Sequence, residues 1–472
     1  IPAACAKKLP GLETKLNTAV ESGDIFAQQS AQELLPLLQQ AKLLAKQYDA
    51  VIANPPYMGG KGMNTALKDF AKKKFPDSKS DLFAMFIERG FAWCKDSGFN
   101  SMVTMQSWMF LSSYEVMREK ILQDRTIQTM AHLGARAFPE ISGEVVQATA
   151  FVMQGTYLNG FKPVFFRLVD TTQDSKEVEL KAGLNRFDST IQDDFKKIPG
   201  SPVAYWVSEK VLEIFETSPS MGEVADARQG LATANNNRFL RFWQEVAIQK
   251  IGFGMENREQ AQSTHKKWFP YNKGGEFRKW YGNQEYVVNW ENDGLEIREN
   301  VDEKGKQRSR PQNIEYFFRP SISWSFISSS SFGVRVYPQG FLFDVGGSSL
   351  FPKDEHNINA AMFLCSHIAP FLMKMMNPTL NFQVGNVEQL PYIEIKDNNI
   401  GNECIRLAKT DWDSYETSWD FTQNPIIRTG QLNLEQAFNT WQQQNADAVA
   451  EMKRLEEENN KLFIDAYGLQ DE

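Results

Sequence analysis

Asn54-Pro55-Pro56-Tyr57 is the stretch whose residue types and spacing suggest chemistry. The Asn54 side-chain oxygen and the Pro55 backbone carbonyl can both accept from one exocyclic amino group, and Tyr57 offers a flat ring beside them. An adenine amino group is a poor nucleophile because its lone pair is delocalised into the ring. Two acceptors pulling on its hydrogens localise that pair and aim it at an electrophilic methyl group. This is preorganised electrostatic catalysis, and it requires no neighbouring histidine. A base inside a duplex cannot reach such a pocket and must be flipped out, and stacking on an aromatic ring returns roughly 1–3 kcal/mol of that cost. The alternative is a plain turn with a core-packed tyrosine. The apolar run before the tetrad and the Gly-rich loop after it favour the functional reading.

The surrounding elements must hold that tetrad at an edge. "DAVIA" reads as a strand buried on both faces, and the two prolines end it because neither can donate a ladder hydrogen bond. Ligands bind at that carboxyl edge in open α/β sheets. Helical spacing covers Leu12 to Val20 and Gln28 to Gln47, and "VESGDIF" between them reads as a short strand ending in Gly23-Asp24. "SDLFAMFIERGFAWCKDSG" reads as a helix opening at Asp81, "FNSMVTM" as a strand, and the alternation continues to about Phe166. The expected fold class is therefore α/β, a doubly wound Rossmann-like sheet over residues 1–166. A connector at 167–220, a β-rich domain at 221–395 and a helical arm at 396–472 follow.

The 472 residues suffice for two or three domains, and 42% hydrophobic content supports packed cores. A net charge of −8 gives no global case for nucleic acid, so DNA binding must rest on local basic clusters. No run is long and apolar enough for a membrane span or signal peptide, which makes the cytoplasm the expected location. Cys5, Cys94, Cys365 and Cys404 form no C-x-x-C pair and read as reduced thiols. His132, His265, His356 and His367 have no ligand spacing, and "KDEHN" at Lys353 to Asn357 reads as a surface turn, so no metal is expected.

With these residues in place, the chain resembles the amino-methylating DNA adenine methyltransferases that use S-adenosylmethionine, ordered as cofactor half, catalytic half and target-recognition domain. The resemblance implies the catalytic roles above for Asn54, Pro55, Pro56 and Tyr57. It also implies an adenine-of-cofactor contact for Asp24 in "SGDIF", a cofactor contact for Phe86 in "DLFAMFIERG", and stacking on the flipped base for Phe138 alongside Tyr57. The family's glycine-rich cofactor loop and ribose-binding acid are absent. "PAAC" at Pro2 to Cys5 has neither the preceding strand nor the following glycines. The chain also opens on Ile, so most of the methionine-binding half is expected upstream of Ile1, which puts methyl transfer by these 472 residues alone in doubt.

"ARQGLATANNNRFLRFW" resembles the opening of a target-recognition domain, and "NFQVGNVEQLPY" the strand and turn that close one. Between these brackets lie the candidate DNA contacts Arg228, Asn235, Asn236, Arg238, Arg241, Lys266, Lys267 and Arg335. Lys273, Arg278, Lys279, Arg308 and Arg310 add positive charge, and the lysines of "KDFAKKKFPDSK" join them from the first domain. With "AKTDWDSYETSWDF" and the long helix after it, the likeness narrows to the PglX-type methyltransferases of BREX bacteriophage-defence systems. That implies double-stranded DNA and other BREX proteins as partners, and a DNA-mimicking phage inhibitor as a candidate occupant of the same groove. The alternatives are the methyltransferase and specificity part of a fused restriction-modification enzyme, or a DNA-binding specificity module without catalysis.

Overall fold

A six-stranded sheet organises the first part of the chain, in the order β1-β2-β4-β3-β5-β6. Its strands are β1 (Tyr48–Ala53), β2 (Cys94–Met105), β3 (Thr126–Ala135), β4 (Gln147–Gln154), β5 (Val164–Arg167) and β6 (Arg186–Phe187). The computed structural model describes residues 3–138, 146–326, 332–354, 358–377 and 382–471. β1 runs parallel to β2 with Ala53 opposite Met102, β4 runs antiparallel to both β2 and β3, and β3 runs parallel to β5. The carboxyl ends of β1, β2 and β3 and the amino end of β4 therefore share one edge. The chain divides into two units, Ile1–Lys196 with Gly200–Trp206, and Lys197–Pro199 with Val207–Glu472.

The core of the first unit forms where the helix Leu82–Trp93 lays Phe83, Ala84 and Ile87 against Met102, Trp108, Ile127, Met130 and Phe151 of the sheet side. Each of the larger apolar side chains contributes roughly 1.5–3 kcal/mol by burial. β1 differs from expectation. It is an edge strand among the described residues, not one covered on both faces, and Ile52 is 81% exposed. The helices Leu9–Glu21 and Ile25–Ala45 pair through Lys42 and Glu13 at 2.7 Å and expose Ile25, Phe26, Leu37 and Leu43. Two sequence expectations fail here. "SGDIF" is no strand, because the Asp24 carboxylate caps the helix Ile25–Ala45 and accepts from the amides of Phe26 and Ala27. Nor does the unit stop at Phe166: β5 and β6 pair, Phe195 and Tyr205 enter its core, and buried Arg118 donates to the Gly200 and Ser201 carbonyls.

The second unit carries two four-stranded sheets, built from β7 (Ala225–Arg228), β8 (Leu240–Phe242), β9 (Trp268–Asn272), β10 (Tyr286–Asn289), β11 (Ser321–Trp324), β12 (Val334–Tyr337), β13 (Leu342–Phe343) and β14 (Ser349–Pro352). Their orders are β13-β9-β10-β8 and β12-β11-β14-β7. Gly230 lets the chain pass against β13, since a Cβ there would lie 1.9 Å from the Phe343 carbonyl oxygen. The closing segment is a short helix, Val384–Glu388, and not a strand; Asn381 lies outside the described residues. Even so, opening and closing meet, with the Met221 amide on the Leu390 carbonyl and the Tyr392 amide on the Pro219 carbonyl, each at 2.8 Å. The final helix, Leu434–Tyr467, stacks Tyr467 on Phe363 and accepts the Trp280 indole at Glu456, 2.8 Å away. Among the described residues no helix is long and apolar enough to cross a membrane.

Candidate functional site

Asn54 to Tyr57 follow β1 in extended, irregular backbone at the carboxyl edge of the sheet. Pro55 is buried, Asn54 and Pro56 are exposed, and Tyr57 is half-buried. The Tyr57 ring meets Phe83 edge-on at 6.1 Å, and its hydroxyl reaches toward the Val103 carbonyl at 3.5 Å. Burial pushes that hydroxyl above its usual pKa, so it stays protonated near neutrality. Among the described residues, neither the Asn54 side chain nor the Pro55 carbonyl has a hydrogen-bond partner. Two acceptors without a partner among the described residues, one on exposed Asn54 and one on buried Pro55, thus lie next in sequence to a fixed aromatic ring.

What fixes the turn is Asp81. Its Oδ1 accepts from the Met58 amide at 2.9 Å and from the Phe83 amide at 3.3 Å, so one carboxylate caps the helix Leu82–Trp93 and ties down the residue after Tyr57. The Leu82 amide returns a bond to the Met58 carbonyl at 3.1 Å. Sequence reasoning placed Asp81 at a helix start but missed this second bond, which spans 23 residues.

Farther along the edge lies a chain of side-chain hydrogen bonds. Gln106, just past β2, donates to Gln147 at the start of β4, which leaves the Gln106 oxygen to accept from His132 Nε2 at 2.6 Å. His132 Nδ1 then accepts from the Tyr205 hydroxyl at 3.1 Å. His132 is 3% exposed, and burial, with Arg167 and Lys176 adding to it against Asp170, pushes its pKa down to about 3. It is a neutral core histidine that holds β2, β3 and β4 in register.

The remaining sequence candidates divide. Phe138 is half-buried three residues past β3, on the edge that also carries the tetrad. Phe86 packs half-buried against the core, and Asp24 is committed to its helix cap. These last two do not by themselves make a cofactor cradle: among the described residues no strand precedes Asp24, and the glycines that follow β1 belong to the loop after the tetrad. Lys72, Lys73 and Lys74 are exposed on the last turn of the helix Thr65–Lys74 and have no ion-pair partner among the described residues.

In the second unit, most of the nominated cations already have partners. Arg228 bridges Asp226 and Glu388, Arg238 and Lys267 share Glu296, and Arg241 donates to the Asn237 and Leu240 carbonyls. Lys266 donates to the Gln249 carbonyl, Lys273 pairs with Asp344, Arg278 with Asp411 and Lys279 with Glu456. Arg335 must be removed from the DNA-contact set. It is 1% exposed, and its two terminal nitrogens donate to the Arg278 carbonyl and Ser325. Asn235 and Asn236, nominated as DNA contacts, are exposed. His356 lies outside the described residues.

Comparison with known proteins adds to this geometry. The model of the Eco57I restriction-modification methylase family matches residues 8–138. The chain is 46% identical over 423 residues to the adenine-specific methyltransferase BrxX of Escherichia coli O9:H4 (strain HS), covering 88% of this chain and 34% of that protein. It is 41% identical over 483 residues to the adenine-specific methyltransferase PglX of Lacticaseibacillus casei (strain Zhang), covering 98% of this chain and 40% of that protein. It thus spans well under half the length of these curated relatives. In fold it resembles the Type IIL restriction-modification enzyme MmeI, solved in complex with DNA, with a TM-score of 0.53 at 11% identity over 90% of this chain and 55% of that one.

Proposed function

We propose, from the premise that this chain is a relative of the BrxX and PglX adenine-specific methyltransferases, that it carries the base-binding and target-recognition parts of a site-specific DNA adenine-N6 methyltransferase of BREX type. The observation that carries the reading is that the Asn54 amide oxygen and the Pro55 carbonyl, next to the Tyr57 ring, have no hydrogen-bond partner among the described residues. In this reading double-stranded DNA is the substrate and S-adenosylmethionine supplies the methyl group. Asn54 and Pro55 accept from the two amino hydrogens of the flipped adenine, Tyr57 and Phe138 take its faces, and Asp81 keeps the turn from relaxing. The exposed apolar surface of Ile25, Phe26 and Ile52 supports completion of the cofactor half by residues other than those described. Other BREX proteins are the expected partners, and a DNA-mimicking inhibitor would compete for the DNA-binding surface.

Modified-base sequencing of genomic DNA tests this, in cells carrying the gene that encodes these residues with its natural neighbours, against an Asn54→Ala control. The expected result is N6-methyladenine at one asymmetric motif, reduced at least about 100-fold in the variant. Equal marking in both strains would refute the role of Asn54. Absence of methyladenine from both would leave a DNA-binding specificity module as the better description.

A further inference from the structure

The ion-pair pattern of the second unit singles out one short segment. While the cations above are committed to carboxylates and carbonyls, Lys304, Lys306, Arg308 and Arg310 are exposed and have no side-chain partner among the described residues. The other cations of this unit without partners, Lys250, Lys374, Lys396 and Lys461, are dispersed along the sequence.

These four are mounted on a shaped support. Val301 and Gln307 form an antiparallel bridge, and the turn between them closes with the Asp302 amide on the Lys306 carbonyl at 2.8 Å and the Gly305 amide on the Asp302 carbonyl at 2.9 Å. Gly305 takes φ +76°, which a side chain would disfavour. The Asp302 carboxylate accepts from the Lys306 and Lys304 amides, each at 2.9 Å, so it shapes the tip; those bonds hold its pKa down and the charges of Arg308 and Lys306 add to this, but among the described residues neither cation forms an ion pair with it. Glu303 is the other acid of the tip. The base of the hairpin is tied to the Asn-rich turn: Arg310 and Ala232 exchange backbone bonds, and Asn300 donates to Ser309 Oγ, which donates to the Thr233 carbonyl at 2.6 Å.

That turn presents amides. The Asn235 oxygen already accepts from the Arg238 amide and the Asn236 oxygen from Thr233 Oγ1, so the wholly uncommitted group of each is its NH2, while the exposed Asn237 side chain keeps both donor and acceptor. An amide with both groups free can pair with the N6 and N7 of adenine, and one with only its NH2 free can address a lone acceptor.

We propose that the hairpin Val301–Gln307, with Lys304, Lys306 and Arg308, seats on the phosphate backbone of duplex DNA and presents the Asn235–Asn237 turn to the base edges. The inference rests on the DNA reading above and names the surface that performs it. Phosphate contacts position a protein without reading sequence, and each one releases counterions, so it carries a salt signature that base contacts lack.

The test is fluorescence anisotropy of a labelled mixed-sequence DNA duplex with the 472-residue chain across a KCl series. The substitutions K304Q/K306Q/R308Q are expected to weaken binding at least about tenfold at low salt and to reduce the slope of log affinity against log salt by about one per cation removed. The control K181Q/R406Q/R454Q neutralises exposed cations already paired with acids and leaves the slope unchanged. All three hairpin side chains are exposed, so the variant's unfolding midpoint stays at that of the unsubstituted chain. A parent-like slope in the hairpin variant, with the chain still binding DNA, overturns this inference and leaves the methyltransferase reading standing. No salt-dependent binding by the unsubstituted chain overturns both.

Discussion

The tetrad could be nominated at the residue scale because the chemistry proposed for it needs only four adjacent side chains and carbonyls. Asp81 and His132 were not, because their roles depend on partners brought near by the fold: Met58 for one, Gln106 and Tyr205 for the other. Asp24 shows the converse, a motif whose carboxylate is consumed locally by two backbone amides. His132 has a measurable consequence. It is neutral in the folded chain with a pKa of about 3, against an ordinary value of 6.5 once unfolded. Its contribution to stability is therefore complete above pH 6.5 and is lost as the pH falls toward 3. Between pH 7.5 and 5 the loss comes to about 2 kcal/mol. Urea unfolding at several pH values should show that slope in the parent and a flatter one in His132→Gln. An unchanged slope in the variant would assign the titration to other groups.

At the scale of elements, the long helix was predictable because nothing between Leu434 and Tyr467 breaks it, and the β-rich runs because their turn residues bound them. The failures were short. "SGDIF" and "NFQVGNVEQL" contain too few apolar residues to separate a strand from a helix end. In the first, the cap at Asp24 decided the matter; in the second, the helix Val384–Glu388 did. The Gly-Leu-x-Thr turn, by contrast, has a physical basis in Gly230, whose missing Cβ admits the Phe343 carbonyl. Gly230→Ala is expected to cost roughly 3 kcal/mol in urea unfolding. Gly385 has open space around it inside its helix, so Gly385→Ala should be neutral or stabilising by up to about 1 kcal/mol. Equal effects at the two positions would contradict the close approach at Gly230.

For the whole molecule, composition and alternation gave two domain types, but they set the first boundary at Phe166, some forty residues early. The segment up to Trp206 reads as charged and irregular, yet it is held by non-local groups such as Arg118 and by the stacking of Tyr205 on Phe165 at 4.3 Å. The exposed side of β1 was also missed, since an apolar run does not announce which face has a neighbour. A hydrophobic edge strand is a template for pairing with another copy. Sedimentation of the isolated chain is therefore expected to show concentration-dependent self-association that Ile52→Lys diminishes without lowering the unfolding midpoint. Undiminished association in that variant would place the contact elsewhere. The open-acceptor turn and the basic hairpin belong to separately packed units. On the proposed reading, a lineage can drift in which sequence it marks through the Asn235–Asn237 turn alone, while the phosphate-seating hairpin and the reaction are inherited unaltered. If the chain does label host DNA as proposed, diversity in that self-label needs few substitutions, and an invader tuned to one label gains little against its descendants.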